Sequence, residues 1–371
     1  MNSSNDLNLL RQWRKDLHQI PELGLELPET QNYLASQLES LDCEITRPIE
    51  YGLAAFFDGG KEKTIAFRTD MDALPVFEQS DYPYPSQKEG RMHACGHDGH
   101  MSNMLLLSRR INEIYKELPC NILLIFQPGE ETPGGAYPIL QTGIFEEKNV
   151  VAVFGMHLWP HLAKGEIATR KGPLMSSATE VNVTIHGKAV HAARHQEGID
   201  AMEVAARFLE EVYRLERSIP DDIYRLLQFG KMTSGRVRNV VADTAVLEGT
   251  FRSFDDETHA FLKNGMEEIA RKLEEQTGAT IDFWYSTAYP PVHNDEALCE
   301  RVMVDHPEIL ELEKPEMISE DFAWYQKKVP GIFFFVGTGT GIELHDSRFN
   351  FDEEILLESA KLFEQLARME F

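Results

Sequence analysis

Ten residues, Arg91-Met-His-Ala-Cys-Gly-His-Asp-Gly-His100, gather three histidines, a cysteine and an aspartate. Neither a solvated loop nor a packed core has reason to collect such groups, but a metal ion does. Thiolate with imidazole suits zinc, cobalt or, less typically, manganese. Cys95 and His97 stand two apart and can face one side of an extended or turning segment. One segment cannot complete a coordination shell, so carboxylates and further histidines must come from elsewhere.

Three apolar runs of strand type each empty into such a residue. The first, 64–68, leads to Asp70 and Asp72; the second, 121–126, to Glu130 and Glu131; the third, 150–154, to His157. The mouth of a strand is the normal place for ligands in an α/β sheet. Asp72 is suited to orienting a metal-bound histidine by a hydrogen bond. Adjacent acids point different ways on an extended backbone, so one of Glu130 and Glu131 can bind metal while the other serves water as general base. A glycine run, Gly337-Thr-Gly-Thr-Gly341, invites a nucleotide-binding reading. That reading needs the glycines to open a helix within a βαβ unit. Here they run into Glu343-Leu-His345, and they serve better as a loop that brings His345 to the metals.

The elements that must position these groups follow from periodicity. Helices are expected over 7–21, 28–41, 101–115, 296–303 and 351–369, with His18 on a helix surface or half buried and Ser319 as a helix cap. Between them, 179–186, 199–215, 224–232, 242–254, 258–274 and 280–289 read as β-α-β-β-α-β, a self-sufficient ferredoxin-like unit. The fold class expected is therefore α/β: a larger catalytic domain with a central mixed sheet, formed by residues 1–175 and 289–371, and an inserted α+β dimerisation or lid domain at 176–288. In the insert, a glycine-assisted turn presents His191, and Asn239 follows a mostly extended run between Arg236 and Arg238. Arg252 lies near a strand end; its planar fork is a natural receptor for a carboxylate.

The chain has 371 residues, 36 basic against 61 acidic side chains and a formal charge of -25. That charge disfavours nucleic acid or an anionic membrane as partner. No run approaches the roughly 20 apolar residues of a membrane span. The first residues lack the pattern of an export signal, and the four cysteines are too widely spaced for a secreted disulfide framework, so a cytoplasmic protein is expected.

The motifs, taken in order, resemble the M20 family of metal-dependent amidohydrolases and aminoacylase-like peptidases. The likeness passes through Arg68-Thr-Asp-Met-Asp-Ala-Leu-Pro75, His93 to His100, Phe126-Gln-Pro-Gly-Glu-Glu131, Gly155-Met-His157, Gly187-Lys-Ala-Val-His-Ala-Ala193, Ser319-Glu-Asp-Phe322 and Leu344-His345. It is nearest the branch of hippurate hydrolases, auxin-conjugate hydrolases and N-acetyldiaminopimelate deacetylases. The resemblance implies Cys95, His97, Glu131, His157 and His345 as ligands of two divalent ions (zinc, manganese, cobalt or nickel). It implies Glu130 as general base, His191 as a transition-state residue, Asn239 and Arg252 as substrate contacts, and a homodimer acting on a small N-acylated amino acid. Within the branch, residues 127–136 and 167–172 look most like the diaminopimelate deacetylases. Arg194-His195-Gln196 and Asp346-Ser347-Arg348 depart from the family pattern without removing a ligand or the base.

Overall fold

A computed structural model describes residues 3–286 and 288–371. The absence of an export signal, read partly on Met1 and Asn2, and the part of the 280–289 strand at Thr287 lie outside the described residues. Two compact units are formed: one from residues 1–174, 293–314 and 321–371, the other from 175–292 and 315–320.

The first unit is built on an eight-stranded mixed sheet. Its strands run in the order Glu44–Thr46, Leu53–Phe57, Asn121–Gln127, Thr64–Asp70, Val150–Trp159, Gly331–Gly337, Ile167–Thr169, Leu310–Glu311. The four central strands are mutually parallel, so their carboxyl ends share one edge. Both faces of these strands are covered, which explains why they read as continuous apolar runs rather than alternating ones. Leu124, Phe126, Phe154 and Phe334 have no exposed surface, each burial contributing about 1.5–3 kcal/mol.

The helix His97–Ile114 lies almost wholly within this core, between the sheet and the helices Ser3–His18 and Ile355–Ala367. Asn103 Nδ2 donates to Leu356 O at 2.9 Å and to Ser359 Oγ at 2.6 Å, tying this helix to the start of Ile355–Ala367 with hydrogen bonds as well as contact.

Several expectations are corrected. The central helix begins at His97, not 101, because its first turn holds buried polar residues that hydrophobic periodicity cannot register. The strand Val150–Trp159 continues through His157 rather than ending before it. Its parallel neighbour pairs with it as far as Gly337 opposite Trp159, and so extends the ladder. Short helices at Ala136–Gln141 and Ile144–Glu147 had no periodic signal. Ser319 caps nothing: the nearby helix is the short Ala323–Gln326, with Phe322 at its cap position.

His18 is not a surface residue but is buried, with Nδ1 2.8 Å from Asp98 Oδ2 and Nε2 3.1 Å from Glu78 Oε1. Burial alone would lower its pKa, but the hydrogen bonds to Asp98 and Glu78 outweigh it and push the pKa up from 6.5 to about 9. A group raised on folding contributes stability that is complete below its unfolded pKa and vanishes as pH climbs through the folded value. Urea unfolding should therefore show a loss of about 3 kcal/mol between pH 6 and pH 10 that is absent in His18→Gln. Equal slopes in the two proteins would contradict the charged pair.

The second unit is a four-stranded antiparallel sheet in the order Thr280–Tyr285, Thr179–His186, Thr244–Ser253, Arg225–Ser234. With the helices Ala201–Ser218 and Asp256–Thr277 it follows the chain order β-α-β-β-α-β. Val183, Ile185, Phe208, Leu247, Phe251 and Leu262 form its separate core. Asp200 and Asp255 cap the two helices, accepting from Met202 N and Thr258 N.

Candidate metal centre

Cys95 and His97 are turned toward one point by Gly96, whose φ of 86° is left-handed. A Cβ there would lie 2.8 Å from Leu158 Cδ1, so glycine is needed both for the turn and for the close packing. His157 reaches the same place from its strand. His345 comes from the loop after Gly331–Gly337, where its own φ is 68° and its amide donates to Ala94 O at 2.9 Å. A non-glycine residue held in this region stores strain of about 1–3 kcal/mol, a cost tolerated where side-chain direction matters.

The five side chains expected as ligands are all brought together. Cys95 Sγ lies 3.3 Å from His157 Nε2 and 3.3 Å from His345 Nε2. Donor atoms of Cys95, His97 and His157 fall within 4.8 Å of one another; so do those of Cys95, Glu131 and His345, and those of His97, Glu130 and Glu131. Donors about 2.0–2.3 Å from a shared ion stand roughly 3–4 Å apart, so these groups fit divalent cations.

The hydrogen bonds point the same way. His97 Nδ1 donates to Asp72 O at 2.7 Å, leaving Nε2 buried with no partner. His157 Nδ1 donates to Leu158 O at 2.7 Å, leaving Nε2 toward Cys95. Glu131 Oε1 lies 3.0 Å from His345 Nε2 but without hydrogen-bond geometry. Buried polar atoms are rarely left unpaired, and a nitrogen lone pair, a sulfur and a carboxylate oxygen aimed together are what a cation satisfies.

Electrostatics reinforce this. Burial holds His97 and His157 below the ordinary imidazole range, His157 near 3, so both rings are neutral. Burial, with Glu131 and Glu130 alongside, pushes the Cys95 thiol well up. Glu131 is held low despite its burial by His345 and His97, and the carboxylate of Glu131 raises His345 in turn.

Asp72 works differently from its expected role. Its main-chain carbonyl, not its carboxylate, accepts from His97; the nearest carboxylate oxygen is 3.8 Å away. The carboxylate instead accepts from Glu130 N at 2.9 Å and Glu131 N at 3.1 Å. The two adjacent donors of the Glu130–Glu131 turn outcompete a single imidazole for a fully buried acid. Asp72 thus fixes the turn carrying both glutamates.

His100 has the look of a further ligand in sequence, yet both its nitrogens are engaged: Nδ1 with Asp70 Oδ1 at 2.7 Å and Nε2 accepting from Leu158 N at 3.0 Å. Sequence reasoning gave no individual role to Arg68, Gln127 and Asp321, which together with Asp70 cross-link the strand ends beside these ligands. The available signal was an arginine inside an apolar strand, which obliges partners of opposite charge.

His191, Asn239 and Arg252 belong to the second unit. His191 is exposed, its Nδ1 accepting from Ala193 N at 3.1 Å, and Ala192 N donates to Asn239 O at 3.0 Å, so His191 and Asn239 are neighbours. Arg252 Nη1 donates to Met317 O at 2.6 Å within the same unit. No described helix is long and apolar enough to cross a membrane.

Comparison with known proteins agrees with this centre. Residues 66–369 match the model of peptidase family M20/M25/M40. An uncharacterised hydrolase of Staphylococcus epidermidis is 35% identical over 377 residues, covering 98% of each chain. A crystal structure from Bacillus subtilis, described as a dinuclear metal-binding peptidase of the M20 family, is 31% identical with a TM-score of 0.85 over 98% of both chains. Another, from methicillin-resistant Staphylococcus aureus, has a TM-score of 0.93 at 28% identity over 98% of this chain and 96% of its own. With fold, converging donors and sequence in accord, this chain is a hydrolase belonging to peptidase family M20/M25/M40.

Proposed function

We propose that this hydrolase deacetylates N-acetyl-LL-diaminopimelate with two divalent metal ions, releasing acetate and LL-diaminopimelate. The observation that supports amide hydrolysis is the convergence of Cys95, His97, Glu131, His157 and His345 beside a second, buried glutamate, Glu130. The substrate assignment is supported by the likeness of residues 127–136 and 167–172 to the diaminopimelate deacetylases.

The five converging residues would hold the ions, with Cys95 standing in two of the donor groups. When bound, zinc, manganese, cobalt or nickel supplies Lewis-acid polarisation of the scissile carbonyl and a lower pKa for water. Glu130 takes a proton from the water as its oxygen bonds to the amide carbon. The same carboxyl then hands the proton to the leaving nitrogen as the C–N bond breaks. Asp72 keeps Glu130 in place through the two amides it accepts. His191 stabilises the oxyanion, in its own subunit or a partner's within a homodimer, and Asn239 and Arg252 receive the substrate carboxylate. The proposed setting is the cytoplasm, and the charge of -25 supports the absence of nucleic acid or an anionic membrane as partner.

A second reading within the family is a hippurate-like N-acylamino-acid hydrolase or a metallocarboxypeptidase. It is favoured by Arg194-His195-Gln196, which alters the wall expected beside His191. Protein loaded in turn with each of the four metals and assayed on N-acetyldiaminopimelate, hippurate, other N-acyl amino acids and dipeptides separates the two. The highest kcat/KM is expected for N-acetyldiaminopimelate. Preference for another acylated substrate moves the assignment to the second reading, and no amide cleavage with any metal ends both.

A further inference from the structure

The strand ends beneath the candidate centre are joined by one guanidinium. Arg68 is almost completely buried, and its fork is divided three ways. Nε donates to Gln127 Oε1 at 2.9 Å, Nη1 to Asp70 Oδ2 at 2.9 Å and Nη2 to Asp321 Oδ1 at 2.8 Å. Each branch continues. Asp70 Oδ1 receives His100 Nδ1, and His100 Nε2 in turn accepts the amide of Leu158, the residue after His157. Asp321 Oδ2 accepts from Gly135 N and Ala136 N, both at 2.9 Å, anchoring the far end of the turn that carries Glu130 and Glu131. Gln127, immediately before that turn, donates to both Asp321 oxygens and accepts from Tyr325 Oη at 3.0 Å. One side of the fork therefore leads to the histidine strand and the other to the glutamate turn.

We propose that Arg68 is a positioning residue that sets His157 against the Glu130–Glu131 turn, acting through Asp70–His100 on one side and Asp321–Gln127 on the other. This inference rests on the metal-centre reading above. A planar fork with fixed N–H directions is what the task requires, since three acceptors on different chain segments are held at defined angles. Lysine keeps the charge but concentrates it at one flexible point. It can serve one aspartate well and leaves the other, with Gln127, to shift. Groups that orient metal ligands from behind typically alter metal affinity or activity by about 10–100-fold when replaced.

Arg68→Lys is the direct test, with Asp321→Asn as a nearly isosteric companion that preserves side-chain volume and weakens the link between the Arg68 fork and the glutamate side while leaving the fork's bonds to Asp70 and Gln127. Proteins are compared for circular dichroism and thermal unfolding, then titrated with Co2+ alone. Thiolate-to-cobalt absorption and the ligand-field bands report the donor geometry independently of turnover. Folded variants are expected to show altered band positions and intensities, with kcat lowered about 10–100-fold and KM within about threefold of wild type. If Arg68→Lys does not fold, Asp321→Asn decides the matter alone. Wild-type cobalt spectra and wild-type kcat in a folded variant overturn this inference while leaving the metal centre intact. Wild-type protein with no thiolate–cobalt band overturns the centre itself, and the positioning role with it.

Discussion

Glu130→Gln is expected to fold, to carry its full metal complement and to lose about 10²- to 10⁴-fold in kcat. The amide matches the carboxylate in size but can neither take a proton from water nor return one to nitrogen. Its backbone remains fixed, because the amides of residues 130 and 131 still donate to Asp72. KM is expected to change little, since Glu130 acts on the reacting atoms rather than on the substrate's carboxylate. Metal content by atomic absorption, beside steady-state kinetics, separates this outcome from simple loss of the ions. A metal-loaded variant with near-normal kcat would remove Glu130 from the base role.

Metal affinity should rise steeply with pH, and the reason lies in Cys95. Without a cation, burial and the nearby Glu131 and Glu130 hold its thiol well above the ordinary range, so it is protonated at neutral pH. The ligand form is the thiolate, and binding must expel that proton. His97 and His157 contribute no comparable release, because burial already keeps them neutral. The thiol alone makes affinity grow about tenfold per pH unit, or about 100-fold from pH 6 to pH 8. His345, raised by Glu131, adds to the slope at the acidic end. Competition with a chromophoric chelator at pH 6, 7 and 8 measures the effect. Cys95→Ser should bind more weakly and with a shallower slope; a flat profile in the unaltered protein would show that Cys95 is not a ligand.

Much of this centre was legible because its ligands sit where apolar runs stop. Glu130 and Glu131 follow a strand of uninterrupted apolar residues, and His345 follows another, so their common edge could be inferred from parallel pairing alone. What escaped was of two kinds. The first turn of the central helix carries His97, Asp98 and His100, whose burial depends on partners distant in sequence, and no period marks it. The role of Asp72 depends on which of several nearby donors wins its carboxylate, and spacing carries no information on that competition. His18 failed for the same reason: its surroundings are made by Asp98 and Glu78, 80 and 60 residues away. The insert's four strands and two helices, by contrast, are set by local alternation and capping, and all six were readable.

The first unit's sheet is interrupted in the chain by the whole second unit, and this orders events on the ribosome. Asn121–Gln127, Thr64–Asp70 and Val150–Trp159 emerge early, whereas their neighbour Gly331–Gly337 and His345 are translated only after the intervening unit. Domains generally fold as units during synthesis, so the first unit waits for its last two strands, Leu310–Glu311 and Gly331–Gly337, until after the insert, with its own core, has been made. On the proposed reading of the centre, Cys95, His97, Glu131 and His157 would all be synthesised before His345, so four of its five ligands would wait on the insert for the last imidazole.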